Sequence, residues 1–171
     1  MLVCLFICGC VCSKVRVCFT PEEKCTQQIT RAIDRSKKSI FVQAYEFTSK
    51  PIAEALIEAK KRGISVKVIL DDSQIYSKYS VINTLFDQNI PIWIDYKPAI
   101  SHSKIIIIDN KTIITGSFNF THSAEFRNAE NLLIIENNSS LVKQYIANWK
   151  NRQFQSRVYT SKIIHASNAL F

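Results

Sequence analysis

The sequence predicts a layered α/β domain, α+β in some schemes, in which a mixed β-sheet is flanked by helices on both faces. Short β-branched runs alternate along the chain with amphipathic segments of helical period, which is the first reason. The second is a pair of isoleucine-rich runs separated only by Asp109-Asn110-Lys111, the pattern of two strands joined by a tight turn. The third is size: 171 residues, 47% of them hydrophobic and without an internal repeat, suffice for one core.

The elements follow in order. Thr20-Pro21-Glu22-Glu23 reads as a capping box with proline at the first helical position, opening a helix whose Cys25, Ile29, Ala32 and Ile33 share a face. Ser39 to Tyr45 is a strand. Pro51 to Arg62 is a helix closed by Gly63, with Lys60, Lys61 and Arg62 favourably placed in its last turn. A strand from Ile64 to Leu70, a helix from Tyr79 to Gln88 and a short strand from Pro91 to Ile94 come next. Ile105 to Ile108 and Thr112 to Thr115 form the hairpin. Asn131 to Glu136 is a further strand, and Ser139 to about Phe154 a helix aligning Val142, Ile146 and Trp149.

Residues 1–17 differ in composition and are expected to be a targeting segment ahead of one catalytic domain over 18–171. Met1 to Cys12 is apolar and too short to span a bilayer as a helix. It is like the h-region of an export signal, although no Lys or Arg precedes it. Ile7-Cys8-Gly9-Cys10 loosely resembles a lipoprotein cleavage box, with Cys8 an unusual occupant; a start misplaced within a longer leader is the competing reading. Either way the protein is expected to be exported: periplasmic, secreted or membrane-anchored. Cys18 and Cys25 flank the first helix start, where they form either a small disulfide loop or two buried thiols. Cys4, Cys8, Cys10 and Cys12 have no histidine near them in sequence, so no zinc site is expected there.

The chemistry concentrates in His102-Ser103-Lys104. Two residues apart on an extended segment, His102 and Lys104 project from one face. The hairpin returns Gly116-Ser117-Phe118-Asn119 beside them. A neutral imidazole can attack phosphorus and a charged one can protonate a leaving alkoxide, because its pKa lies near neutrality. The Lys104 ammonium and the Asn119 amide are suited to hold phosphoryl oxygens as charge grows. Gly116 would let backbone approach a ligand closely. Ser117 either hydrogen-bonds within the site or satisfies the turn. Asp109 follows the isoleucine run and points away from the face of His102 and Lys104, so its role is expected to be structural. The bland alternative is a solvent-facing hairpin that His102 and Lys104 merely decorate.

The spacing H-x-K-x(4)-D-x(6)-G-S-x-N resembles the signature of the phospholipase D superfamily. Six specified positions at roughly 5% background each match by chance about once in tens of millions of starts. Tyr45-Glu46-Phe47-Thr48-Ser49, Ala59-Lys60-Lys61-Arg62-Gly63 and Gly116 to Thr121 extend the likeness to the small single-motif bacterial endonucleases of that superfamily, from about Cys18 to Tyr159. The resemblance implies a phospholipase D/nuclease-like fold with neither metal nor cofactor. It implies that His102 is a nucleophile forming a covalent phosphohistidine, with the same histidine of a second motif as general acid. Lys104 and Asn119 would hold the phosphate oxygens. Glu130 stands where the family keeps an acid that orients the nucleophilic imidazole. One motif per chain, with two histidines needed, implies a symmetric homodimer with a composite site. His122 and His165 lack a lysine two residues on and are read as surface residues.

A net charge of +8 favours a polyanionic partner. No acidic residue follows Glu136, whereas Lys143, Lys150, Arg152, Arg157 and Lys162 do. With Tyr76, Tyr79, Tyr96 and Lys97 these fit a nucleic-acid groove with stacking surfaces, and fit an anionic membrane or phospholipid nearly as well. Three functions therefore stay open: an exported, metal-independent nuclease acting on DNA or RNA; a phospholipase D acting on phosphatidylcholine or cardiolipin headgroups; and a non-catalytic nucleic-acid-binding protein.

Overall fold

The β-branched runs form the middle of an eight-stranded mixed sheet in the computed structural model, which describes residues 12–160. The strands are β1 Lys14–Thr20, β2 Ser39–Ala44, β3 Ser65–Asp71, β4 Ile92–Asp95, β5 Lys104–Ile108, β6 Thr112–Gly116, β7 Glu130–Glu136 and β8 Arg157–Val158. The helices are α1 Cys25–Asp34, α2 Lys50–Lys61, α3 Ile82–Asp87, α4 His122–Phe126 and α5 Ser139–Gln155. The strand order is β1-β7-β6-β5-β2-β3-β4-β8; β2, β3 and β4 run parallel, and every other pairing is antiparallel.

Strand alternation sorts the isoleucines between two cores. Ile106 and Ile108 of β5, with Ile40 and Val42 of β2, pack with Ile29 and Ile33 of α1 and Ile52 and Leu56 of α2. Ile105, Ile107 and Phe41 point the other way, towards Trp149 on α5. The Trp149 ring stacks on Phe41 at 4.8 Å, and its indole N–H donates to the Val42 carbonyl at 2.9 Å. Helices thus cover both faces.

Four local expectations change. The sheet takes in Lys14 to Val17, which the sequence assigned to the leading segment: β1 pairs with β7 from Lys14↔Glu136 to Thr20↔Glu130. The capping box does not form, and α1 begins at Cys25. Thr20 ends β1, and its hydroxyl donates to the Asn128 carbonyl, while Glu23 accepts from the Phe19 N–H. One open donor of α1 is met from α4 instead, where buried Glu125 accepts from the Thr26 N–H at 2.8 Å, while the Cys25 N–H donates to the Glu23 carbonyl. The third helix is shorter than expected and follows a 3-10 turn over Asp72–Ile75. Finally, α4 and β8 are new. Cys18 and Cys25 are joined as a disulfide with Cα atoms 5.8 Å apart, which decides between the two readings of that pair.

Two carboxylates fix the loop that carries the motif. β3 and β4 end level with one another at Asp71 and Asp95, both buried. Asp71 accepts from the N–H of Ser73 and from that of Ser101, the latter at 2.7 Å. Asp95, at 0% exposure, accepts the Ser101 hydroxyl at 2.9 Å and is gripped by the Arg152 guanidinium through both Nε and Nη2. Arg152 was expected among the surface cations of the basic tail. It is instead the counter-ion of a buried carboxylate, which could not stay charged alone.

Replacing Arg152 by alanine strands the Asp95 charge, a loss of about 3–5 kcal/mol. The denaturation midpoint should fall accordingly, while Lys150→Ala, on exposed surface of the same helix, should stay within about 0.5 kcal/mol.

Candidate active site

Lys104 opens β5 and is only 7% exposed, a position that strand alternation forces on it by placing it in line with Ile106 and Ile108. Its ammonium donates to the His102 carbonyl at 2.8 Å and lies 3.0 Å from His102 Nδ1. It also stands 5.2 Å from the centre of the Tyr45 ring. Burial pushes its pKa down from the ordinary 10.5, and the charges of Glu130 and Glu46 push back. Since an ammonium only donates, Nδ1 faces it with a lone pair, and the neutral imidazole carries its proton on Nε2. The His102 ring is exposed on one side and rests on Tyr45 on the other, centroids 4.5 Å apart and tilted by 50°. The Tyr45 N–H donates to the Ser103 carbonyl at 2.9 Å, completing the hold on the loop that Asp71 and Asp95 begin at Ser101.

The return strand arrives as expected: extending the Ile106↔Ile114 register by two residues sets Gly116 level with Lys104. Gly116 serves a different neighbour from the one expected. At φ +136° its missing Cβ would lie 2.3 Å from the Asn131 carbonyl oxygen, so the glycine admits the backbone of β7, not a ligand. Ser117 donates to Glu130 Oε2 at 2.6 Å and accepts from the Asn131 N–H at 3.0 Å, serving both the site and the turn. Buried Phe118 and Phe120 anchor the next segment. Phe120 bridges to Phe47, and its carbonyl accepts from Thr48 and Ser49. Asn119 is thereby held beside the end of β2, and its buried Oδ1 has no hydrogen-bond partner among the described residues. That amide is uncommitted.

The Glu130 carboxylate accepts from the Ser117 hydroxyl and from the Asn128 amide, and among the described residues of one chain it makes no hydrogen bond to His102. At the first residue of β7 it lies next to the Ser117 turn, and its charge raises the pKa of Lys104 against the larger lowering by burial. Asp109 stands at the far end of β5 with φ +54°, where its two oxygens accept the N–H groups of Lys37, Lys38 and Ser39 at 2.7–3.0 Å and hold the entry to β2. His122 is exposed and lies against Phe126; His165 falls outside the described residues. Tyr76, Tyr79 and Tyr96 are exposed, with Arg157 4.0 Å above the Tyr96 ring.

Sequence reasoning passed over Tyr45, Ser101, Asp71, Asp95 and the true partner of Arg152. A signal existed for two of them, since carboxylates at the C-terminal ends of neighbouring parallel strands are where open α/β sheets build sites. Among the described residues no three His, Cys, Asp or Glu side chains gather in a metal-ligating group.

Comparison with known proteins agrees with this geometry. The family model described as cardiolipin synthase, PLD-like domain, matches residues 29–156. The chain is 48% identical over 141 residues to a phospholipase D of Rickettsia felis, an alignment covering 82% of this chain and 70% of that protein. It is 28% identical over 141 residues to the human mitochondrial cardiolipin hydrolase, covering 81% of this chain and 55% of the relative. The crystal structure of Nuc from Salmonella typhimurium, a phospholipase D family member, superimposes with a TM-score of 0.83 at 38% identity, over 87% of this chain and 99% of that one. A histidine and lysine in contact at a strand entrance, an uncommitted asparagine brought back by the hairpin, and a family match spanning all three lead to one assignment: the chain belongs to the phospholipase D superfamily and is a phosphodiester hydrolase.

Proposed function

We propose that the protein is a metal-independent nuclease that cleaves DNA or RNA through a phosphohistidine on His102. The observation that carries the chemistry is the 3.0 Å contact between the Lys104 ammonium and His102 Nδ1, beside the uncommitted Asn119 amide. A phosphodiester entering there draws the Lys104 ammonium onto a non-bridging oxygen, and Asn119 donates to the phosphoryl group. Freed from Lys104, Nδ1 takes up the proton and Nε2 presents its lone pair. Nε2 attacks phosphorus; the P–N bond forms as the P–O bond to the leaving oxygen breaks, and that oxygen takes a proton from the His102 imidazolium of a second copy. The second imidazole, now neutral, deprotonates water, which attacks phosphorus and breaks the P–N bond. Glu130, fixed by Ser117 and Asn128, keeps Lys104 charged in spite of its burial.

This chemistry calls for a symmetric homodimer with both His102 rings facing one phosphate. Export fits the Cys18–Cys25 disulfide, since such bonds persist in oxidising compartments. The net charge of +8 and the exposed tyrosines favour a polymer. The second reading, hydrolysis of phospholipid headgroups, is favoured by the names of the Rickettsia relatives and of the cardiolipin hydrolase.

Single-stranded DNA, duplex DNA, RNA, phosphatidylcholine and cardiolipin, assayed side by side in EDTA, should show turnover on the nucleic acids, reduced roughly a thousandfold or more by His102→Ala. Turnover on lipid alone would decide for the second reading, and loss of all activity in EDTA would sink the mechanism.

Since burial lowers the pKa of Lys104, its ammonium, followed directly by NMR in the His102→Ala protein, should titrate below the ordinary lysine value of 10.5. A titration at or above that value contradicts the burial assigned to Lys104.

Mixing His102→Ala with wild-type chains tests the composite site. Activity should fall as the square of the wild-type fraction once subunits exchange, whereas a linear fall with exchange demonstrated means a complete site in each chain.

A further inference from the structure

The far end of the sheet holds a concavity of about 710 Å³ between α1 and the β6–β7 ends. Ile108 and Ile134 lie in its lining, which carries seven cationic against three carboxylate side chains, a net of four positive charges. Each of the carboxylates is already engaged. Glu23 accepts from the Phe19 N–H at 2.7 Å, Asp109 from the three N–H groups of Lys37 to Ser39, and Glu136 pairs with Arg16 at 3.1 Å. Lys14, Lys24, Arg31, Arg35, Lys37 and Lys111 make no salt bridge to any described residue. So many like charges converging on one recess repel one another and cost stability unless an anion enters.

We propose that this concavity is a second polyanion site, which grips the backbone of a polynucleotide away from the scissile phosphate. The inference takes its ligand class from the nuclease reading above, but does not depend on the chemistry at His102. The recess adjoins Ile108, the end of β5 opposite Lys104; four residue steps of strand separate the two by about 13 Å. A stacked strand covers that span in about four nucleotides at about 3.4 Å each, so recess and catalytic histidine contact different parts of one polymer. The shape speaks for a strand over a bilayer. The cations line the walls of a depression, where an extended backbone can enter and a flat membrane meets only the rim. Amides of Gln27 and Gln28 in the lining add donors that suit phosphate and sugar oxygens.

The test is fluorescence anisotropy of a labelled single-stranded 30-mer with His102→Ala protein, titrated at several salt concentrations. In that background Lys24→Glu/Arg31→Glu/Arg35→Glu, all exposed positions, is compared with Lys60→Glu/Lys61→Glu/Lys67→Glu, the same charge change outside the recess. The recess variant should bind about tenfold or more weakly and lose about two units from the steepness of the log–log salt dependence, with the control within about threefold of its parent. Equal losses in both variants, or none in the recess variant, overturn the proposal. Should the recess variant misfold by circular dichroism, Lys14→Glu/Lys111→Glu on the opposite wall is held to the same criterion. If wild-type protein cleaves the 30-mer and the recess variants bind it normally, the second site fails and the nuclease reading stands. If the variants instead lose binding only to vesicles of phosphatidylcholine with phosphatidylglycerol, the ligand is a membrane and the proposal fails; wild-type turnover on lipid alone would remove the nuclease reading as well.

Discussion

A buried carboxylate with no exposure to water needs a cation or a set of donors, and Asp95 obtains both from distant parts of the chain. That need draws Arg152 inward from the last turn of α5, seats α5 on its face of the sheet, and lets the Ser101 hydroxyl share Asp95 Oδ2 with the Arg152 Nε. Asp71, level with it on the next strand, takes the Ser101 N–H. The residue before His102 is thus tied by main chain and side chain to the ends of two parallel strands. The imidazole, lodged between Tyr45 and Lys104, gets its position from a framework that does not touch substrate. This suits the nucleophilic role proposed for His102, which asks for rigidity without loss of exposure.

The same economy governs Lys104. A lysine at a strand entrance facing the core would ordinarily be replaced by an apolar residue, and its burial weakens the charge on which the proposed phosphate binding rests. Glu130 and Glu46 oppose that loss in part from a distance, without a direct ion pair to Lys104 among the described residues. A direct carboxylate contact would favour the charged form more but would have to be broken in every turnover. The arrangement found keeps the ammonium on neutral partners, the His102 carbonyl and Nδ1, which yield it more readily to an anion.

Much of this was legible along the chain. The isoleucine strands announced themselves because β-branched side chains buried on both faces leave no other pattern, and His102, Lys104 and Asn119 stood out through their spacing. The failures have a common cause in partners remote in sequence. Arg152 and Lys150 look alike on paper, and only Asp95 tells them apart. Thr20 and Glu23 form a capping box as letters, yet the Thr20 hydroxyl goes to Asn128, 108 residues away. β1 is the exception, since Lys14 to Phe19 alternates in the period of a strand; it was passed over because the apolar segment before it drew the boundary too late.

The place of β1 at the border of the sheet bears on the order in which the molecule can assemble. β7 is its neighbour within the described sheet, and the partners in that ladder stand more than a hundred residues apart. Whether the chain emerges from a ribosome or from a translocation channel, the first strand comes out long before the strand it pairs with. In the interval it carries Val15, Val17 and Phe19, which remain exposed even in the finished fold, together with unpaired main-chain groups. Its closure is a contact of high order that must follow the central strands, so the ladder nearest the amino terminus is among the last to form. The Cys18–Cys25 bridge spans only seven residues and needs no such delay. It can fasten β1 to the first turn of α1 while the rest of the sheet is still being delivered, leaving a tethered strand to find β7.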